Sequence, residues 1–239
     1  MPAPAVIKLT LKGYSQGDTL EALNNDVVIA TMRADMSFET ISVMAINGEK
    51  EQVALRKKGT KEILSTFEVG RQPFMQTKKI FFDGKKIDDK IELTPVTNPA
   101  NMGFRMMFKT NYAHFYGGPV DIIIYEQEVN QVTFEFGFKE IKTCKDISDS
   151  FSSFIELPAL ISTDEIVRSY VYKVFKAGTK ELPYTAAADL SYLSDPEYNY
   201  GYIEDFKAGD SRLLIIGPYY TDNFLFDSYQ VDNIAVFFK

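Results

Sequence analysis

Tryptophan is absent from this 239-residue chain, and cysteine and histidine occur once each, as Cys144 and His114. A single cysteine excludes an intrachain disulfide, so stability has to come from packing. Two such ligands cannot make the usual zinc site, which needs several Cys or His side chains. Glycine-rich phosphate motifs are lacking as well. Gly13-Tyr14-Ser15-Gln16-Gly17 has neither the spacing nor a following helix, and Gly117-Gly118-Pro119 leads into a strand pattern, so nucleotide chemistry is not supported. The chain also lacks a basic surplus. Its formal charge of −7 argues against nucleic acid, whose binding is driven by Lys and Arg displacing counterions. No run approaches the roughly 18 apolar residues of a transmembrane helix. The opening MPAPAVIKLTLKG lacks the charged-then-apolar build of a signal peptide. Its Pro-Ala-Pro start running straight into a strand pattern is expected to follow a removed leader or lipid-anchor segment.

What is present is enough apolar material to fold, at 45% with 25% charged residues. Short alternating segments separated by turn residues predict an all-β chain of two antiparallel β-sandwiches in tandem, Ig-like or jelly-roll-like. Residues 6–12 (VIKLTLK), 102–110, 119–125, 131–139 (QVTFEFGFK), 169–175 and 212–217 read as strands, with 229–238 as the closing one. Segments 38–46 and 50–56 flank Asn47-Gly48, and 78–82 and 85–93 flank Asp83-Gly84; both dipeptides predict tight hairpins. A short helix is expected within 186–193. Residues 1–126 carry 16 basic and 15 acidic side chains, whereas 127–239 carry 10 and 18 and hold 10 of the 14 tyrosines. That shift predicts an N-terminal domain at 1–126 and an acidic, Tyr-rich domain at 127–239. A Gly-Pro pair and a Val-Asp-x-Ile run recur at 118–123 and at 217–218 with 231–234, which hints at two repeated β units.

His114 lies among aromatics without a visible partner set, so a loop-anchoring or packed role is expected rather than catalysis. Cys144, in KTCKD, has lysines that could lower a thiol pKa but no cysteine-enzyme motif around it. Lysine-rich pieces at 56–61 and 78–86 fall at expected turns, where such charges protect strand edges. The distinctive stretch is 192–210, YLSDPEYNYGYIEDFKAGD. Its candidate ligand-binding residues are Tyr192, Asp195, Glu197, Tyr198, Tyr200, Tyr202, Glu204 and Asp205. Aromatic faces stack on sugars or peptides while carboxylates accept hydrogen bonds, and Tyr198, Tyr200 and Tyr202 at period two would project from one side of an extended segment. An aromatic strand packed on a core, with its acids facing water, would produce the same pattern. The acids could hold a structural Ca²⁺, although no EF-hand spacing is present; no other cofactor is expected. Paired carboxylates leave glycoside hydrolysis as a minor alternative.

The tandem-sandwich pattern, the Pro-Ala-Pro start and the terminal FDSYQVDNIAVFF together resemble surface lipoproteins of Bacteroidetes-type bacteria, many of them associated with glycan-uptake systems. The segment from Val231 to Val236 is similar to the last strand of carbohydrate-binding jelly rolls, although those modules stack sugars on Trp, which this chain lacks. The resemblance implies a non-enzymatic, exported protein at the cell surface or in the periplasm that binds a glycan or protein partner through its C-terminal half. The alternative is a structural or assembly protein, such as a phage or secretion-apparatus component, in the virion or cytoplasm.

Overall fold

The computed structural model of the chain describes residues 4–88, 91–109, 116–183, 200–203, 207–220 and 226–238. They form two compact units, Met1–Glu92 with Val236–Lys239, and Leu93–Ala235. The first holds β1 (Ala5–Ser15), β2 (Leu20–Asn24), β3 (Val27–Met32), β4 (Met36–Ile46), β5 (Lys50–Lys57), β6 (Ile63–Gly70), β7 (Met75–Phe82) and β8 (Ile87–Asp88). Two four-stranded sheets, ordered β4-β1-β7-β8 and β3-β2-β5-β6, face each other. Alternation decides what lies between them. Ile7, Leu9, Leu11, Met44, Ile46, Ile80 and Phe82 point inward from one sheet, and Leu20, Ala22, Met32, Val53, Leu55 and Val69 from the other. Each large apolar side chain taken out of water contributes about 1.5–3 kcal/mol before the entropy of ordering is charged against it.

The second unit holds β9 (Asn101–Phe108), β10 (Val120–Asn130), β11 (Phe136–Ile147), β12 (Ile155–Pro158), β13 (Ile166–Lys176), β14 (Gly201–Ile203), β15 (Ser211–Tyr220) and β16 (Phe226–Asn233). Its sheets run β12-β9-β15-β16 and β11-β10-β13-β14. Counted from each unit's own first strand, both units have the same two orders, 4-1-7-8 and 3-2-5-6. In each, the first strand pairs antiparallel with the fourth and parallel with the seventh, as β1 with β4 and β7, and β9 with β12 and β15. The chain is thus a tandem of two β-sandwiches with one wiring, antiparallel apart from one parallel pair in each.

The wiring corrects several sequence expectations. A boundary at 126/127 would cut β10, whose neighbours β11 and β13 pair with it on both sides of that point. The charge shift marks surface composition, not the end of a core. The two Val-Asp-x-Ile runs fall in β10 and at the end of β16 in the same unit, so they are not the trace of the structural repeat. Asn47-Gly48 joins two correctly placed strands that do not pair: β4 bonds to β1, β5 bonds to β2 and β6, and the connection crosses from one sheet to the other. The Asp83-Gly84 hairpin is present, with Gly84 at φ 90° and the Asp83 carboxylate accepting from the Lys85 and Lys86 amides at 2.8 and 2.7 Å. A hairpin with no glycine joins β2 and β3, where Asn25 and Asp26 take φ 49° and 64° as a two-residue primed turn requires. The closing strand stops at Asn233, and Ala235–Phe237 form a 3₁₀ turn, so the jelly-roll likeness of 231–236 does not extend to its backbone. The helix expected within 186–193 lies outside the described residues.

One loop of the second unit is tied down by a single carboxylate. Glu156 accepts from the Thr97 amide (3.0 Å), the Thr97 hydroxyl (2.7 Å), the Asn98 amide (3.0 Å) and the Asn101 side chain (2.9 Å). These donors hold its carboxyl well below the usual range, at about 2 instead of 4.5, with the Thr97 backbone bond as the largest cause. Since the folded-state pKa is depressed, the contribution to stability is complete above pH 4.5 and is lost as the pH falls towards 2. Carbon-detected titration is expected to place the Glu156 midpoint near 2, and Glu156→Gln is expected to flatten the fall in melting temperature across that window. A midpoint near 4.5 would show that the clamp is not made.

Candidate functional site

The sheet β11-β10-β13-β14 has two different faces. One turns Val120, Ile122, Ile124, Cys144, Tyr170, Tyr172, Val174 and Ile203 into the core of the second unit. Period-two alternation then sends Tyr125, Gln127 and Val129 of β10 to the opposite face, together with their ladder neighbours Glu140, Phe138 and Phe136 of β11 and Val171, Ser169 and Val167 of β13. Tyr202 joins them because it pairs with Val171. Gln127 and Val171 are buried although they lie on this outward face, so a second layer covers them.

Aromatic rings supply that layer. Phe136 meets Phe138 at 5.8 Å between centroids, Phe138 meets Tyr125 at 6.3 Å and Tyr200 at 5.3 Å, and Tyr200 meets Tyr202 at 5.4 Å. Every one of these contacts is edge-to-face, with interplanar angles of 66° to 77°. The Lys173 ammonium lies over the Phe138 and Tyr125 rings at 5.2 and 5.9 Å. Gln127 donates to the Tyr200 hydroxyl at 3.1 Å, and the Tyr200 and Tyr202 hydroxyls sit 3.4 Å apart. Burial pushes the Tyr125 phenol upward in pKa; nearby Lys180 opposes the shift and Glu140 adds to it. Lys180 itself pairs with Glu140 at 2.8 Å, which closes this end of the row.

At the other end, the β10–β11 connection lifts apolar side chains into water. Asn130 organises it: its side-chain oxygen accepts from the Val132 and Thr133 amides at 2.8 and 3.0 Å, and its backbone N–H donates to the Glu135 carbonyl at 2.8 Å. Phe134 adopts φ 60° and is 77% exposed; Val132 is 70% exposed and Phe136, at the start of β11, 48%. A bulky residue in the left-handed region costs about 1–3 kcal/mol and persists only where its surroundings impose it. The sequence expectation of a strand over 131–139 is therefore corrected in its first part, since β11 begins only at Phe136. Val132 and Phe134 occupy the turn, and Phe136 and Phe138 point away from the core. Period two reveals a shared face but not which side of the sheet it is.

Of the eight candidate ligand residues, Tyr200 and Tyr202 are brought together here, while Tyr192, Asp195, Glu197, Tyr198, Glu204 and Asp205 lie outside the described residues, as does His114. The site therefore includes Tyr125, Gln127, Phe138 and Lys173, which sequence reading did not single out; only register places them beside the tyrosines. Among the described residues no group of three His, Cys, Asp or Glu side chains is placed to hold a metal. Cys144 is buried in the core, and desolvation pushes its thiol up to about 11, with Lys142 opposing and Asp121 adding, so it stays protonated at neutral pH. A separate open concavity is lined by Lys207, Ala208, Gly209, Asp210 and Arg212, where Arg212 and Asp210 pair at 2.6 Å. No helix among the described residues is long and apolar enough to cross a membrane.

No protein-family model matches the chain, and no curated protein does. Among solved structures it is similar to the crystal structure of a "putative adhesin from Bacteroides ovatus", at 10% identity over 96% of this chain and 93% of that one, with a TM-score of 0.26.

Proposed function

We propose that this chain is a non-enzymatic binding protein that engages a protein partner through the outward face of β11-β10-β13-β14 and the turn at its end. The observation that carries this reading is the run Val132, Phe134, Phe136, Phe138, Tyr200 and Tyr202. Phe136, Phe138, Tyr200 and Tyr202 lie on the side of the sheet away from the core, and the turn at its end holds Val132 and Phe134 in water, Phe134 on left-handed backbone. Large apolar side chains presented together in this way fit the aromatic anchors of protein interfaces. Ring orientation favours protein over glycan. Sugars stack on open, flat ring faces, whereas these rings stand edge-on to one another.

The reading is tested by placing a photo-reactive phenylalanine analogue at Phe134 or Phe136 in the native host, with exposed Thr60 of the first unit as control. One discrete adduct shared by both turn positions and missing from Thr60 is the expected result. No adduct, or the same adduct from Thr60, would overturn it. Its sequence likeness to exported surface proteins supports placing this encounter outside the cytoplasm, and protease treatment of intact cells should then remove the chain; full protection would refute that placement.

A further inference from the structure

We infer that β4 is a self-association edge, through which two copies of this chain join their β4-β1-β7-β8 sheets into one continuous sheet across a two-fold axis. Strand edges expose unpaired backbone groups, and folded proteins normally blunt them with short length, bulges, proline or charge. The other described edges all carry such a device. β8 and β14 are two and three residues long, and β12 has four and ends on Pro158. The ladders of β3, β6, β11 and β16 each contain a register shift. β4 has none of these: eleven residues pair with β1 without interruption, and MSFETISVMAI contains no Pro, Lys or Arg and a single charge, Glu39.

Backbone direction shows which groups are free. The Lys8 amide donates to the Phe74 carbonyl of the segment entering β7, so even-numbered residues of β1 bond towards β7 and odd-numbered ones towards β4. Leu9 then bonds with Ser42 and Leu11 with Thr40, which turns the N–H and C=O groups of Ser37, Glu39, Ile41, Val43 and Ala45 outward. All five of these residues are exposed, Ile41 by 51%.

A second copy fits this edge by its own pattern. In an antiparallel pairing centred on Ile41, every outward group finds its complement. Ile41 meets Ile41, Glu39 meets Val43 and Ser37 meets Ala45, as an isologous contact requires. The two Glu39 charges then lie four residue steps apart, about 14 Å, beyond the screening length of about 8–10 Å. On the inward face, half-buried Phe38 comes opposite Met44, which extends the apolar interior across the axis.

Sedimentation equilibrium of the full chain tests the proposal. The wild type is expected to dimerise. Ile41→Lys and Ile41→Glu each place like charges on the axis and should weaken dimerisation at least about tenfold while retaining the fold, and mixing the two should restore a heterodimer. Amide exchange gives a readout without mutation: Ser37, Glu39, Ile41, Val43 and Ala45 should slow as concentration rises. A wild type that stays monomeric at about 100 µM, where a micromolar contact would be nearly saturated, would overturn the proposal. So would a mass growing beyond two chains, an Ile41→Lys variant that dimerises like the wild type, or concentration-independent exchange at these amides.

Discussion

Gly13→Ala is expected to destabilise the first unit by about 3–5 kcal/mol, or to prevent its folding. Gly13 lies in β1, the strand held between β4 and β7, at φ +152°. A Cβ there would sit 1.7 Å from the Ile80 carbonyl oxygen and 2.7 Å from its carbon. These are backbone atoms of the parallel partner strand, so no rotamer change relieves the overlap, and separating the strands sacrifices the β1–β7 ladder. Gly48 supplies the control, since its nearest neighbour, the Lys50 carbonyl oxygen, would be at 3.7 Å, an ordinary contact. Amide exchange should show β1 and β7 losing protection in Gly13→Ala and keeping it in Gly48→Ala. Retained protection in Gly13→Ala would contradict the packing.

Gly201→Ala should damage the site from beneath. Gly201 lies between Tyr200 and Tyr202, and a Cβ on it would meet Cζ and the hydroxyl of Tyr172 at 2.2 and 2.3 Å. Tyr172 is fully buried in the core, so its ring cannot swing away, and β14 is held to β13 by only three paired residues. The short strand, not the ring, should therefore yield. A cost of about 1–3 kcal/mol is expected, with Tyr200 and Tyr202 displaced from Phe138. Cross-linking from Phe136 should fall about tenfold or more, and the ring-current-shifted resonances of Phe138 and Lys173 should move. Unchanged resonances would show that the tyrosines do not depend on this close approach.

These two glycines also show where sequence reading stops. Alternation was enough to find most strands, because a buried face imposes period two on residues such as Ile7, Leu9 and Leu11. Pairing was not legible: Asn47-Gly48 looks like a hairpin turn, yet the strands it joins lie in opposite sheets. The unit boundary was hidden because β10 runs unbroken through the point where charge and tyrosine content change. The shared 4-1-7-8 and 3-2-5-6 orders leave no trace in the short repeats, since topology can be kept by burial pattern alone while residue identities diverge. At the site, Tyr200 and Tyr202 could be read from their spacing. Phe138, Tyr125, Gln127 and Lys173 reach them only through strand register, which no local window contains.

The central claim is that the run from Val132 to Phe136 serves a partner and not the fold. Thermal unfolding of the triple variant Val132→Ser, Phe134→Asn, Phe136→Thr tests it most directly. Val132 and Phe134 stand largely in water and Phe136 is half exposed with a ring contact to Phe138, so little transfer energy is lost, and Asn tolerates the left-handed backbone at 134 better than Phe does. The melting temperature is expected to stay within about 2 °C of the wild type or to rise. A fall of about 8 °C or more would mean that these residues are part of the core, and the proposed binding surface would be lost with that result.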